Sequence, residues 1–318
     1  MGTPVKTVLI AQVPVDVKID PSFRNITRFI SRFPAPSREA PPASIRIEIA
    51  RRSQRLVEIS HQHRKLSIAG PDIDNLSDPF NTIGIAQALF RFVGIYAARR
   101  GILLFHASAA FWGKKVFCFG DDGASTAKTL SSVECALTSR HYLADEFCFF
   151  DLSSNRVFGY PFVPLHIRPI VKEHLVANHG MRLPPTDFKE DKAGYFQESG
   201  KMFRTTPSGK LGALVFVHFG KEKERIRPLY AKEKRVAIAR LILAHPLKLF
   251  YPQLDRMQFV STADSTKKIV YDARLVSSFT KKLLLADKID ALARNVPAYK
   301  FYISSPCQVQ KLLSRLST

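Results

Sequence analysis

The sequence predicts a mixed protein of the α/β or α+β class, with a β-rich lead over residues 1–76 and a central mixed sheet within residues 77–318. Two observations predict the sheets and a third divides the chain. Segments such as "ASIRIEIARR" and "KLSIAG" alternate polar and apolar residues or run apolar, with Pro and Gly clusters between them, the pattern of strands. Farther on, "KKVFCFG" leads through small residues into "KTLSSVECALTSR" and then "HYLADEFCFFDL", which predicts strand, loop, helix and strand in a βαβ unit. Between these regions, from Asp78 onward, the apolar spacing changes from the period of a strand to that of a helix.

Each element has a local cause. "KTVLIAQVPVDVKI" predicts a strand and not a secretion leader, because only Lys6 precedes the apolar run and Asp16 and Asp20 follow quickly. "RFPAPSREAPPAS" predicts a proline-rich surface loop. In "DPFNTIGIAQALFRFVGIYAARRG", Asp78 stands at an N-cap position, Pro79 at the first helical position and Gly101 as a stop. Apolar residues cover most of its circumference, so a buried helix is expected. "ILLFHASAAFW", "KKVFCFG" and "HYLADEFCFFDL" run almost continuously apolar, which suits a sheet covered on both faces. The stretch from Arg182 to Lys210 is polar and predicts a long loop or lid. "LGALVFVHFG" predicts another buried strand, "AKEKRVAIARLILAHPLKLF" and "ARLVSSFTKKLLLADKIDALAR" predict helices, and "AYKFYIS" a last strand before a short terminal helix.

With 46% hydrophobic and 24% charged residues, the 318-residue chain has the composition of a globular protein and not of a disordered one. The longest apolar stretch, Ile83 to Trp112, is cut by Arg91, Arg99 and Arg100 and falls short of the ~20 residues a membrane span needs. Net charge is +21, and it is uneven: 25 basic against 19 acidic residues up to Gly200, but 23 against 8 from Lys201 onward. Such a field attracts anionic partners. Four cysteines lack paired metal spacing, and Cys118, Cys135 and Cys148 lie in apolar runs; buried thiols of a reducing cytoplasm are expected. His61 and His63, without a third ligand, predict a solvated strand face and not a metal site.

The segment "FCFGDDGASTAKTL" is a candidate phosphate loop. Such loops aim backbone N–H groups and a helix N-terminus at an anion, with a lysine on the outer phosphates and a hydroxyl on magnesium. Lys128-Thr129 fits the end of G-x-x-x-x-G-K-[ST], while Ala127 and Asp122 stand where its glycines belong. The following strand carries Asp145-Glu146 among apolar residues, and buried acids need partners. Lys128 and Thr129 are expected to supply them, since parallel neighbouring strands bring their C-terminal ends to one edge.

The run from Leu103 to Asp151 resembles the catalytic core of the HPr kinase/phosphorylase superfamily, whose more distant relatives include the phosphoenolpyruvate carboxykinases. The resemblance rests on His106-Ala107-Ser108, Gly120-Asp121-Asp122-Gly123, Lys128-Thr129 and Ala144-Asp145-Glu146, with the family's interval of 17 residues from the lysine to the first acid. It covers roughly Asp78 to Pro169 and extends more weakly over the helices and final strand to the C-terminus. The loop is two residues longer than the family's, and the Glu-x-Arg-Gly signature of true HPr kinases is replaced by "HIRPI". The resemblance implies a P-loop core that binds ATP, or another nucleoside triphosphate, with Mg²⁺. Gly120, Gly123, Ser125 and Thr126 would cradle phosphate, Lys128 would reach the β- and γ-phosphates, and Thr129, Asp145 and Glu146 would attend the metal. Asp145 would also be the base for an acceptor hydroxyl, with His106 near the phosphates or near Asp145. Arg168, after the Gly-Tyr-Pro turn, is added as a candidate for the transferred phosphoryl group.

The function expected is transfer of a γ-phosphate to a hydroxyl, the acceptor being a serine of a peptide or protein, or a small molecule, and an acidic one suiting the charge. The alternative is a degenerate relative that binds a partner, with nucleotide held weakly or not at all. Nucleic acid is disfavoured, since no recognition motif accompanies the basic C-terminal third. The oligomeric state is left open.

Overall fold

In the computed structural model the described residues are 5–37, 39, 41–54, 56–60, 62–121, 125–186, 188, 195–220, 223–250 and 285–316. They form a mixed α+β protein with two compact units. Residues 5–100 and 246–250 belong to the first, and 101–245 and 285–316 to the second.

The first unit holds β1 (Val5–Ile10), β2 (Val13–Ile19), α1 (Arg24–Ile30), β3 (Ile45–Ala50), β4 (Leu56–Ser60), β5 (Lys65–Ala69) and α2 (Pro79–Ala97). Its sheet runs β1-β2-β3-β5-β4, with β3 parallel to both of its neighbours. Ala11 and Gln12, with φ of 50° and 59°, make the two-residue turn between β1 and β2, where positive φ at both positions matches the strands' twist. Alternation in β3 buries Ile45, Ile47 and Ile49 on one face, as the sequence pattern requires. Residues 81–98 are buried all round, so α2 is the enclosed helix its apolar circumference predicts. By packing, α2 groups with the β-rich lead and not with the region that follows it.

The second unit contains β6 (Ile102–Phe105), β7 (Ser108–Trp112), β8 (Lys115–Asp121), α3 (Ser125–Ser139), β9 (His141–Ala144), β10 (Cys148–Asp151), β11 (Arg156–Phe158), β12 (Pro164–Ile167), α4 (Pro169–His179), β13 (Tyr195–Glu198), α5 (Ser199–Met202), β14 (Arg204–Thr205), β15 (Ser208–Phe219), β16 (Arg225–Pro228), α6 (Ala231–Phe250) as far as His245, α7 (Ala286–Asn295), β17 (Ala298–Ile303) and α8 (Gln308–Leu316). One mixed sheet follows the path β14-β9-β7-β8-β15-β11-β10-β6, with β17 beside β15 and β16 beside β17. The long strand β15 joins its parts: its start pairs with β11, and its later residues lie parallel to β8 on one side and β17 on the other. α3 and α8 close a core with this sheet that includes Phe119, Leu130, Val133, Val215, Phe301 and Leu312. Full burial of each such side chain contributes about 1.5–3 kcal/mol.

Three expectations are corrected here. β8 and β9 are parallel but not neighbours, because β7 lies between them and pairs antiparallel with both. "HYLADEFCFFDL" is two strands, not one: β9 ends at Ala144 and β10 begins at Cys148, so the acids occupy the corner between strands with different partners. The polar stretch from Arg182 to Lys210 is not all loop, for it carries β13, α5, β14 and the start of β15. Of the helix expected over 273–294, the described part is α7, and residues 273–284 lie outside the described residues. Among the described residues, no helix is long and apolar enough to cross a membrane.

Candidate functional site

The inserted strand β7 explains how the site assembles. Running antiparallel, it presents its first residue to the last residues of its neighbours: Ser108 lies opposite Phe119 of β8, and Ala109 opposite Ala144 of β9. One edge of the sheet therefore collects the His106-Ala107-Ser108 segment, the first turns of α3, and Asp145-Glu146. The backbone N–H of His106 donates to the carbonyl of Leu241 in α6 at 2.9 Å, which holds the segment before β7 in place.

Lys128 and Thr129 come from the first turns of α3, where Ala127, Leu130 and Val133 turn into the core. Lys128 is 1% exposed and Thr129 7%. The Lys128 ammonium donates to Glu146 Oε1 at 2.8 Å and lies 2.8 Å from His106 Nε2. That same imidazole nitrogen is 2.8 Å from Glu146 Oε2. One nitrogen cannot both accept from the ammonium and donate to the carboxylate, so the proton position on His106 selects which contact is a hydrogen bond. Asp145 Oδ1 accepts from Thr129 Oγ1 at 3.1 Å and from Ser108 Oγ.

The backbone at the acids is strained. Glu146 has φ 63°, and the N–H of Phe147 donates to the carbonyl of Asp145 at 2.6 Å, closing a three-residue turn around it. Turns with positive φ at the central residue are rare, and a side chain there costs on the order of 1 kcal/mol or more. The benefit is that two consecutive carboxylates both serve the edge, one bonded to Ser108 and Thr129 and the other to Lys128.

Asp145 is pushed up to about 6, chiefly by burial and then by the negative charge of Glu146. Lys128, Ser108 and Thr129 pull the other way without cancelling those effects. Two carboxylates thus face one ammonium, and the surplus is negative. Their oxygens, with the Thr129 hydroxyl, are hard donors of the type that suits a divalent cation such as Mg²⁺. Ser108 is fully buried, so it orients Asp145 and does not present a nucleophile.

The structure brings together His106, Lys128, Thr129, Asp145 and Glu146, and adds Ser108, to which the sequence pattern assigns no role. Its signal was available: in "HAS" it stands two residues after His106, at the start of a strand. The loop residues behave otherwise. α3 begins at Ser125, so Lys128 is the helix's fourth residue and not its opening; Ser125, Thr126 and Ala127 of "GASTA" already belong to the helix. Ala127, 2% exposed, is a core residue of that helix. Gly120 lies within β8, where a Cβ would come 2.9 Å from Leu241 Cδ1 and 3.2 Å from the Phe216 ring, so close packing is sufficient reason for a glycine. Gly123 and Asp122 lie outside the described residues, and of Ser125 and Thr126 only the helical backbone is described. Arg168 is the N-cap of α4, its carbonyl accepting from the N–H groups of Val171 and Lys172 at 2.9 Å, on an element apart from those that carry the cluster.

No family model matches this sequence, and no curated protein matches it.

Proposed function

We propose that the chain is a phosphotransferase of the P-loop kinase type, moving the γ-phosphate of ATP or another nucleoside triphosphate to a hydroxyl of a peptide, protein or small molecule. The observation that carries this is the shared sheet edge, where an ammonium is bonded to one carboxylate and a threonine hydroxyl to the carboxylate beside it in the chain. Phosphoryl transfer needs positioning and charge neutralisation more than covalent chemistry. Asp145, its carboxyl held near 6, is basic enough to take an acceptor's proton and ionised above that pH. Mg²⁺ held by Asp145, Glu146 and Thr129 would neutralise developing phosphate charge. Lys128 meets an outer phosphate by exchanging the Glu146 carboxylate for it.

A second reading has its own observation. Lys128 is buried and already occupied by Glu146 and His106, and it is the fourth residue of its helix instead of standing at the opening, where the loop motif puts it. On this reading the cluster is a self-satisfied structural remnant and the protein a binding module.

Release and transfer of γ-phosphate from ATP·Mg²⁺ separates the two. For the kinase, turnover falls by at least about 100-fold in Asp145→Asn and in Lys128→Ala. Nucleotide-induced thermal stabilisation without turnover in the wild type selects the binding module, and neither stabilisation nor turnover removes the nucleotide from both.

A further inference from the structure

On the opposite part of α3 from Lys128, a second cluster of ligating groups has no part in the proposed chemistry. Glu134 Oε1 lies within hydrogen-bonding distance of His174 Nε2 and 2.6 Å from His179 Nε2, both on α4. Cys307, in the segment just before α8, completes a set whose four ligand atoms lie within 4.8 Å of one another. We propose that Glu134, His174, His179 and Cys307 bind a zinc ion that joins α3, α4 and the start of α8.

The donor set fits the ion. One thiolate, two imidazoles and one carboxylate make a mixed sulfur, nitrogen and oxygen site, and zinc takes four such ligands tetrahedrally. Around a tetrahedral zinc, ligand atoms stand about 3.3–3.7 Å apart, so metal entry needs the two imidazoles to withdraw from Glu134 Oε1 by roughly 1 Å. Both Nε2 atoms already converge on that single oxygen, an arrangement in which a cation can replace two N–H···O contacts by two metal–nitrogen bonds. Charge also closes: the Glu134 carboxylate and a Cys307 thiolate together balance Zn²⁺, an advantage where Glu134 is 0% exposed.

The surrounding groups are those a ligand set requires. Gln310 of α8 donates to Glu134 Oε2 at 2.9 Å, leaving Oε1 for the metal. The Asn178 carboxamide lies 2.6 Å from His174 Nδ1. With its amide turned so that the oxygen faces the ring, it accepts the Nδ1–H and fixes the tautomer whose Nε2 binds metal. His179 and Cys307 are exposed and give the ion a way in, while Glu134 and His174 are buried and fix the geometry. On binding, Cys307 releases its thiol proton to solvent, and each neutral imidazole shifts its single proton from Nε2 to Nδ1 by exchange with solvent, which frees the Nε2 lone pair for the metal. No redox step is involved.

Cobalt(II) is the probe. The full chain, stripped by chelator, is titrated with Co²⁺ and then with Zn²⁺. The proposal expects uptake of one equivalent, intense ligand-field bands of a tetrahedral ion, a thiolate-to-cobalt charge-transfer band, and displacement by Zn²⁺. Cys307→Ser abolishes the charge-transfer band, and His179→Ala weakens binding by more than about 10-fold. Both positions are exposed, so the variants test binding and not folding. Zn²⁺ raises Tm for the wild type and less for either variant. Absence of stoichiometric uptake overturns the proposal, as do a weak octahedral spectrum without charge transfer or unchanged binding in both variants. ATP turnover is no part of this readout, so the zinc site stands or falls independently of the kinase.

Discussion

At Asp145, burial and the neighbouring Glu146 both disfavour the anion, and this has opposite consequences for stability and chemistry. Its carboxyl titrates at about 6 in the folded chain, against about 3.9 in an unfolded one. Between those values the folded state holds the extra proton, so this residue's contribution to stability is lost as pH rises through about 4 to 6. Asparagine keeps an oxygen for Ser108 and Thr129 and removes the charge. Asp145→Asn is therefore expected to melt at a higher temperature than the wild type at about pH 8, with the gap shrinking toward pH 4. A gap independent of pH would refute the raised titration. Turnover, by contrast, is expected to grow with pH through about 6 as Asp145 becomes a base. Ser108→Ala removes a donor to the carboxylate, so the acid limb of the pH–rate profile is expected to move upward. An unmoved limb would mean that Ser108 does not act through Asp145.

Among elements, local pattern was enough where pairing partners did not matter. The alternation of β3, the apolar run of β15 and the circumference of α2 each follow from their own residues. What the sequence could not yield was nonlocal. Nothing in "SAAFW" says that it inserts between β8 and β9, yet this pairing is what brings Ser108 and His106 to the acids. The corner at Asp145-Glu146 was hidden because the acids sit in an apolar run that suits a continuous strand. The start of α3 was misplaced because Lys128-Thr129 was read through a loop motif, whereas Ser125, Thr126 and Ala127 suffice to begin a helix earlier. Two substitutions test these points. Restoring the motif glycine by Ala127→Gly is expected to destabilise the protein by about 1 kcal/mol, since position 127 is a buried helical one. Gly159→Ala places a Cβ 2.4 Å from Ala144 Cβ and 3.1 Å from the Leu143 carbonyl at the end of β9, at an expected loss of about 1–3 kcal/mol. Urea melts measure both; stabilisation by Ala127→Gly would contradict the helical assignment.

Across the whole molecule, the site and the charge belong to different ranges of influence. Several cations of the C-terminal region are engaged by acids, with Arg227 bonded to Glu233 and Arg235 to Asp290 on the surface. Exposed pairs of this kind contribute little to stability and leave the basic excess in place. Oligonucleotide binding, if driven by that excess, is expected to fall steeply with salt and to be unaffected by Lys128→Ala, because Lys128 is buried. The same distinction explains the missed zinc ligands: Glu134, His174, His179 and Cys307 lie up to 173 positions apart in the chain and meet only through the packing of α3, α4 and α8. Whether the shared edge of β7, β8 and β9 holds a polyphosphate is tested most directly by calorimetric titration of the full chain with ATP·Mg²⁺. Binding by the wild type that weakens at least about 10-fold in Lys128→Ala is the expected result, the loss of a charged hydrogen bond to phosphate. Equal affinity in the two proteins, or no binding by the wild type, would contradict it.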